Sequence, residues 1–215
     1  VNGLNTAKAP FLEVGLDDLV QKCVGTSLRA TSDLGEAISD AKVIFIACGT
    51  PFDGRSIDLG QVKQVASEIA AGLKSRTDFP VVVVKSTVVP GTTKDVVAKI
   101  LSEGSGLRLG SDFGLAVNPE FLREGTAVED FMAPDRIVVG ASDPQTSAIM
   151  SEDYKQFSDV PYIETDVNTA ELTKYSTNAL LATMVSFAYE VTGIGRAPDG
   201  TNIDHVTAGL SSDKR

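Results

Sequence analysis

The sequence predicts an α/β protein, a doubly wound parallel sheet followed by the start of an all-α region with one long helix, and three observations predict it. Apolar, β-branched runs recur at KVIFIAC (42–48), PVVVVKS (80–86), DFGLAV (112–117) and RIVVG (136–140). They are continuous rather than alternating, as parallel strands buried on both faces are. Between them, DLGQVKQVASEIAAGLKS (58–75) and TTKDVVAKILSEG (92–104) carry apolar residues at helical spacing. From about Asp166 this rhythm gives way to a single helical stretch, DVNTAELTKYSTNALLATMVSFAYEV. Strand, helix, strand in that order builds a doubly wound sheet. The change of pattern places a domain boundary there, with residues 1–165 in one domain and 166–215 opening a second.

Taken in order, VNGLNTAKAP reads as the end of a helix, and APFLEVGLDDLVQKC (9–23) as a loop and a second short helix. Asp58 and Thr92 are the expected N-caps of the two sheet-flanking helices, with Gly104 the stop of the second. The long helix is opened by Asp166 or Asn168, and Gly193 stands near its end. A doubly wound sheet normally begins with a strand and a Gly-rich turn that seats a pyrophosphate on a helix N-terminus. No G-x-G-x-x-G occurs here, and GIGRAPDG (193–200) follows a helix instead of a strand. The expectation is that a first strand, its phosphate turn and a second strand lie upstream of Val1.

Composition narrows the function classes. The net charge of −10 argues against a nucleic-acid surface, which needs clustered Lys and Arg. No apolar run reaches the ~18 residues of a membrane span, and the first residues lack the pattern of a signal peptide, so a soluble protein of the cytoplasm is expected. Cys23 and Cys48 have neither disulfide-scaffold nor zinc spacing, and metal is not indicated. Cys48 ends an apolar strand and reads as a core residue, and His205 lies in a polar stretch and reads as exposed.

Three places carry candidate chemistry. VNPEFLREGTAVEDF (117–131) sets Glu120 and Glu124 around Phe121 and Leu122. A carboxylate among apolar side chains suits a general base, but a turn-capping Glu120 and a solvated Glu124 fit the same residues. Lys174 and Asn178 stand four apart on the long helix and share a face, where a cation and an amide suit a developing oxyanion. A solvated Lys174 paired with Glu171 is the plain alternative. Ser86 and Thr87 end one strand and CGTP (48–51) ends its neighbour. Carboxyl ends of parallel strands are where such sheets bind ligands. Arg136 opens a strand within reach of Asp135 or Glu129 and is assigned no chemistry.

Five segments in order then carry a resemblance: V-x-x-L-N…P…E-x-G-L (1–16), CGTP (48–51), KSTV-x-PGT (85–92), NPEFLREGTA-x-EDF…PDRIVVG (118–140) and K-Y-x-x-N (174–178). Together they resemble the UDP-glucose and GDP-mannose dehydrogenase family, the EDF-x-x-PDRIVVG portion being most similar to the UDP-glucose 6-dehydrogenases. The resemblance implies a truncated Rossmann-like sheet and oxidation of a nucleotide sugar at C6 in two hydride transfers to NAD, through a cysteine thioester that water hydrolyses. It implies catalytic roles for Thr87, Glu120, Lys174 and Asn178. Gly49, Thr50, Pro51, Ser86, Thr87 and Glu124 would border NAD. Glu120, Phe121, Leu122, Arg123, Glu124, Lys174 and Asn178 would face the nucleotide sugar.

The resemblance further implies a homodimer built through the long helix, and a chain that is a fragment, inactive by itself, because the family's nucleophilic cysteine lies downstream of SSDKR. Val14 stands where the family has Pro, Tyr189 stands where Asn is common, and GIGRAPDGTNID is longer than the usual link. A GDP-mannose or UDP-N-acetylmannosamine dehydrogenase, or a non-catalytic nucleotide-sugar-binding protein of the same fold, are the alternatives. An ordinary 3-hydroxyacid or 6-phosphogluconate-type dehydrogenase shares the architecture but not NPEF-L-x-E, and ranks last.

Overall fold

Five short strands form one sheet: β1 (Val43–Ile46), β2 (Val81–Val84), β3 (Gly114–Val117), β4 (Ile137–Ala141) and β5 (Tyr162–Thr165), paired in that order. The computed structural model describes residues 1–195 and 200–212. Val43 pairs with Val81 and Val81 with Gly114, so β1, β2 and β3 are parallel and their carboxyl ends share an edge. β2 and β3 are buried throughout, as their unbroken apolar runs require.

The fourth strand departs from expectation. It runs antiparallel to β3, with Ala116 opposite Ala141, and β5 continues parallel to β4. An apolar run reports burial on both faces but not strand direction. The connection from β3 to β4 holds just a short helix, α6 (Ala127–Met132), in place of a crossover helix over the sheet. β5 was not expected at all, because YIET is half-exposed and lacks the apolar signature.

The remaining helices are α1 (Asn2–Asn5), α2 (Leu16–Cys23), α3 (Leu34–Ile38), α4 (Gly60–Leu73), α5 (Ala98–Ser105), α7 (Pro144–Asp153), α8 (Val167–Gly195) and α9 (Ile203–Ser211). α4 and α5 cover one face of the sheet with Val62, Ala66, Ile69, Leu73 and Leu101, and α7 covers the other with Met150. The N-cap of α4 is Leu59 and not Asp58, whose side chain accepts the Gly60 N–H at 2.7 Å in the turn that leads into the helix. Thr92 does not cap: its hydroxyl donates to Val89 O, and the helix opens with a π turn, Thr93–Val97. Gly104 is inside α5, and the stop is Gly106 in the left-handed conformation. Asp166 opens α8, accepting both the N–H and the hydroxyl of Thr169.

Val1–Lys174 form one compact unit and Tyr175–Arg215 a second. In the second unit, α8 is exposed from Asn178 to Glu190, with Leu180, Leu181, Met184, Val185 and Phe187 open to solvent. Asn202 caps α9, and His205 is exposed on it. The GIGRAPDG stretch runs into residues 196–199, which lie outside the described residues.

Candidate active site

The loops that leave β1 and β2 at their carboxyl ends are laced together. The N–H groups of Lys85 and Ser86 both donate to Ile46 O, at 2.9 and 3.1 Å. The Ser86 hydroxyl donates to Cys48 O at 2.7 Å, and the Thr50 hydroxyl to Thr87 O at 2.7 Å. CGTP and KST therefore form one ledge. Gly49 on this ledge is exposed, and a Cβ there would meet nothing nearer than Gln61 Oε1 at 3.9 Å. Pro51 is exposed beside it, with its carbonyl taken by the Asp58 N–H at 2.8 Å. Cys48 is half-buried, packed on the core with its thiol against Ser86.

The β3 strand delivers the next part. Asn118 leaves it at the carboxyl end, 2% exposed, and its side-chain amide donates to Val138 O at 2.9 Å. Two residues on, Glu120 Oε2 accepts the Leu122 N–H at 2.6 Å, so Glu120 does cap a turn. Its other oxygen lies 3.0 Å from the Lys174 ammonium.

Lys174 is 6% exposed, and what brings it there is the start of α8. Gly140 of β4 lets that helix approach: a Cβ at Gly140 would sit 2.5 Å from Asp166 O, 2.7 Å from Ala170 Cβ and 2.8 Å from Val167 Cα. Such contacts are too close for any side chain. One turn along, Glu171 is not the partner of Lys174. It is 2% exposed and accepts the N–H groups of Gly91 at 2.6 Å and Thr93 at 2.8 Å, closing the amino end of the π turn. A buried lysine needs a counter-charge, and Glu120 supplies it.

The Phe121 ring meets two cations, the guanidinium of Arg136 at 4.0 Å from its centroid and the Lys174 ammonium at 5.3 Å. Arg136 makes no ion pair with Asp135 or Glu129 among the described residues. Near Glu120 the cations thus outnumber the anion in a chain whose net charge is −10. That local balance favours an anionic ligand or a developing oxyanion.

Residues 1–158 match the NAD binding domain of the UDP-glucose/GDP-mannose dehydrogenase family. The chain belongs to that family. It is 42% identical over 199 residues to the UDP-glucose 6-dehydrogenase of Haloferax volcanii, covering 90% of this chain and 46% of that protein. To the GDP-mannose 6-dehydrogenase of Pseudomonas aeruginosa it is 39% identical over 196 residues, covering 90% of this chain and 45% of that one. Among solved structures it is similar to a ternary complex of GDP-mannose dehydrogenase from Pseudomonas aeruginosa, with TM-score 0.96, 37% identity, and coverage of 100% of this chain and 49% of that one. A UDP-glucose dehydrogenase from Pyrobaculum islandicum gives TM-score 0.92 at 37% identity, with the same coverage. The chain spans about half the length of the curated relatives it matches.

NAD is the cofactor of the matched domain, and the ledge fits one border of a dinucleotide. Backbone is uncovered at Gly49, and the hydroxyls of Thr50 and Ser86 have donated inward, which leaves their oxygens free to accept. The Gly-rich turn that would seat the pyrophosphate is not within residues 1–215.

Other residues implied by the family resemblance have partners or surroundings of their own. Arg123 turns to Asp130, with Nε at 3.1 Å, Nη2 at 2.6 Å and its backbone N–H at 2.8 Å, and holds that carboxyl down to about 2. Glu13 accepts the N–H groups of Gly125 and Ala127, which ties the same loop to the start of the chain. Leu122 and Glu124 are exposed on this loop. Asn178 follows Lys174 by one helical turn on α8 and is exposed in the second unit. Sequence reasoning missed Lys85, which stands one residue before Ser86 and places its ammonium 2.8 Å from Asn118 Oδ1. Its signal was a cation at the end of an otherwise apolar strand. No helix among the described residues is long and apolar enough to cross a membrane.

Proposed function

We propose that the chain supplies most of the NAD-binding domain (1–165) and the opening of the central helical domain (166–215) of a nucleotide-sugar 6-dehydrogenase acting on UDP-glucose. The observation that carries this reading is the buried Lys174 ammonium set 3.0 Å from Glu120 at the carboxyl edge of the parallel strands. NAD, when bound, takes the hydride from the sugar C6. Gly49, Thr50, Pro51, Ser86, Thr87 and Glu124 border it, and the backbone from Phe121 to Glu124 lies against the nucleotide sugar.

In the hydrolytic half, Glu120 takes the proton of the attacking water as its oxygen bonds to the thioester carbon and the C–S bond breaks. Lys174 donates to the oxygen that carries the developing charge, and Thr87 and Asn178 orient the reacting groups. The sulfur belongs to a cysteine outside residues 1–215. Two copies of the complete protein pair through the long helix, in the cytoplasm.

A second reading, GDP-mannose as substrate, is favoured by the GDP-mannose 6-dehydrogenase relatives, which match almost as well as those for UDP-glucose. Production of NADH by the complete gene product, offered UDP-glucose, GDP-mannose and UDP-N-acetylmannosamine in turn, decides between them. Turnover of UDP-glucose with about two NADH per sugar supports the first reading, and preference for GDP-mannose supports the second. No NADH with any of the three would sink both. Lys174→Met should lower kcat by about 10²–10³-fold, and a loss below about threefold would return Lys174 to a structural role. Residues 1–215 alone should bind NAD weakly by calorimetry.

A further inference from the structure

The site holds a second sheltered ammonium that the proposed chemistry does not use. Lys85 leaves β2 at its carboxyl end, and its Nζ donates to Asn118 Oδ1 at 2.8 Å and reaches Asn118 O at 3.4 Å. The direction of that acceptor is fixed. Asn118 spends its amide nitrogen on Val138 O, and the Tyr154 hydroxyl donates to the same Oδ1. An inverted amide would lose the bonds to Lys85 and to Val138 O, since an ammonium only donates and a carbonyl only accepts.

Glu120 stands two residues after Asn118, and the three charges act on one another. Burial depresses the Lys85 pKa, the negative charge of Glu120 pulls it back up, and the positive charge of Lys174 pushes it down. Beyond Asn118 the titratable groups are Tyr154 and Tyr162, each pushed up to about 12 by burial, with Asp153 beside them. A lysine at a strand end ordinarily keeps its ammonium in water. Here it is held inside by a built acceptor, next to the paired acid.

We propose that Lys85 is a positioning residue of this site: it pins the Asn118–Pro119–Glu120 turn to the end of β2 and so sets where the Glu120 carboxylate stands against Lys174. The inference rests on the dehydrogenase reading. It goes beyond that reading by assigning the placement of Glu120 to lysines on two elements, Lys174 on α8 and Lys85 on β2.

The test uses the complete gene product with Lys85→Met, which removes the donor to Asn118, and Lys85→Arg, which keeps a cationic donor. Lys85→Met should lower kcat at least about tenfold with KM for the sugar changed less than about twofold, and Lys85→Arg should restore kcat. In the cofactor-free protein, ¹³C-lysine NMR should show Lys85 titrating below the surface lysines and moving upward in Lys174→Met. Where Lys85→Met does not fold, Asn118→Leu removes the acceptor and the same split between kcat and KM is read.

Wild-type kcat in Lys85→Met, a KM that rises as far as kcat falls, or no recovery in Lys85→Arg overturns the proposal. So does a Lys85 resonance indifferent to Lys174. Wild-type enzyme that makes no NADH from any nucleotide sugar overturns the dehydrogenase reading itself. Active wild type with an indifferent Lys85 overturns this inference alone.

Discussion

Two stretches of α8 contrast in what they bury. Between Val167 and Lys174, the helix buries Val167, Ala170, Glu171 and Lys174, of which two are charged. From Tyr175 on, it exposes Leu180, Leu181, Met184, Val185 and Phe187. By hydrophobicity alone the order should be reversed. Burial follows the partners a segment finds, and the early turns have Gly140, the amides of Gly91 and Thr93, and Glu120 to meet. Among the described residues, the later apolar face has no such cover.

The largest expected effect strikes the charged contacts of the early stretch. Glu171→Leu would leave the Gly91 and Thr93 N–H groups without their acceptor, at about 1–3 kcal/mol for each buried donor left unpaired. Chemical denaturation of the 215-residue chain against the variant measures it. A loss under about 0.5 kcal/mol would mean that water replaces the carboxylate, and the early stretch would then owe its burial to apolar packing alone. Next comes the approach at Gly140. Gly140→Val would push Asp166 and Ala170 away from β4 and should cost about 1–3 kcal/mol by overpacking. Because the shift carries Lys174 with it, the complete enzyme should also lose activity. Full stability together with full activity would show that α8 has slack at its start.

The same contrast marks what the sequence could and could not reveal. β2 and β3 were legible because burial on both faces leaves an unbroken apolar run, and β1 because its residues are all apolar although Phe45 is 40% exposed. At α4 the cap position falls to Leu59, one residue past Asp58, while the Asp166 cap was legible because a cap is a local event. The antiparallel turn of β4 was not, since direction is set by the connection and not by the strand. The plain alternative, Glu171 paired with Lys174, fails for a related reason. Helical spacing offered it to Lys174, while its acceptor role depends on amides 80 and 78 residues away. Spacing alone also left Glu120 as a turn cap, which it is, and the Lys174 contact 3.0 Å from its other oxygen needed the fold. Lys85 passed unnoticed because a lysine ending a strand usually points to water.

The smallest expected effect belongs to the later stretch and tests the other half of the contrast. Phe187 is 58% exposed on α8 and Leu181 55%. An exposed side chain has little burial to lose, so Phe187→Gln and Leu181→Gln should each change the stability of the 215-residue chain by no more than about 0.5 kcal/mol. Gln also forms helix at least as well as Phe and only slightly less well than Leu, so helix propensity adds little to the comparison. Sedimentation should show less self-association in both variants, since each removes apolar surface from one exposed face. In the complete protein the same substitutions should cost much more if that face is covered by a second copy, as proposed, because burying either side chain is worth about 1.5–3 kcal/mol. A large loss already in the short chain would mean that the face is packed in solution, and the difference between the two stretches of α8 would disappear.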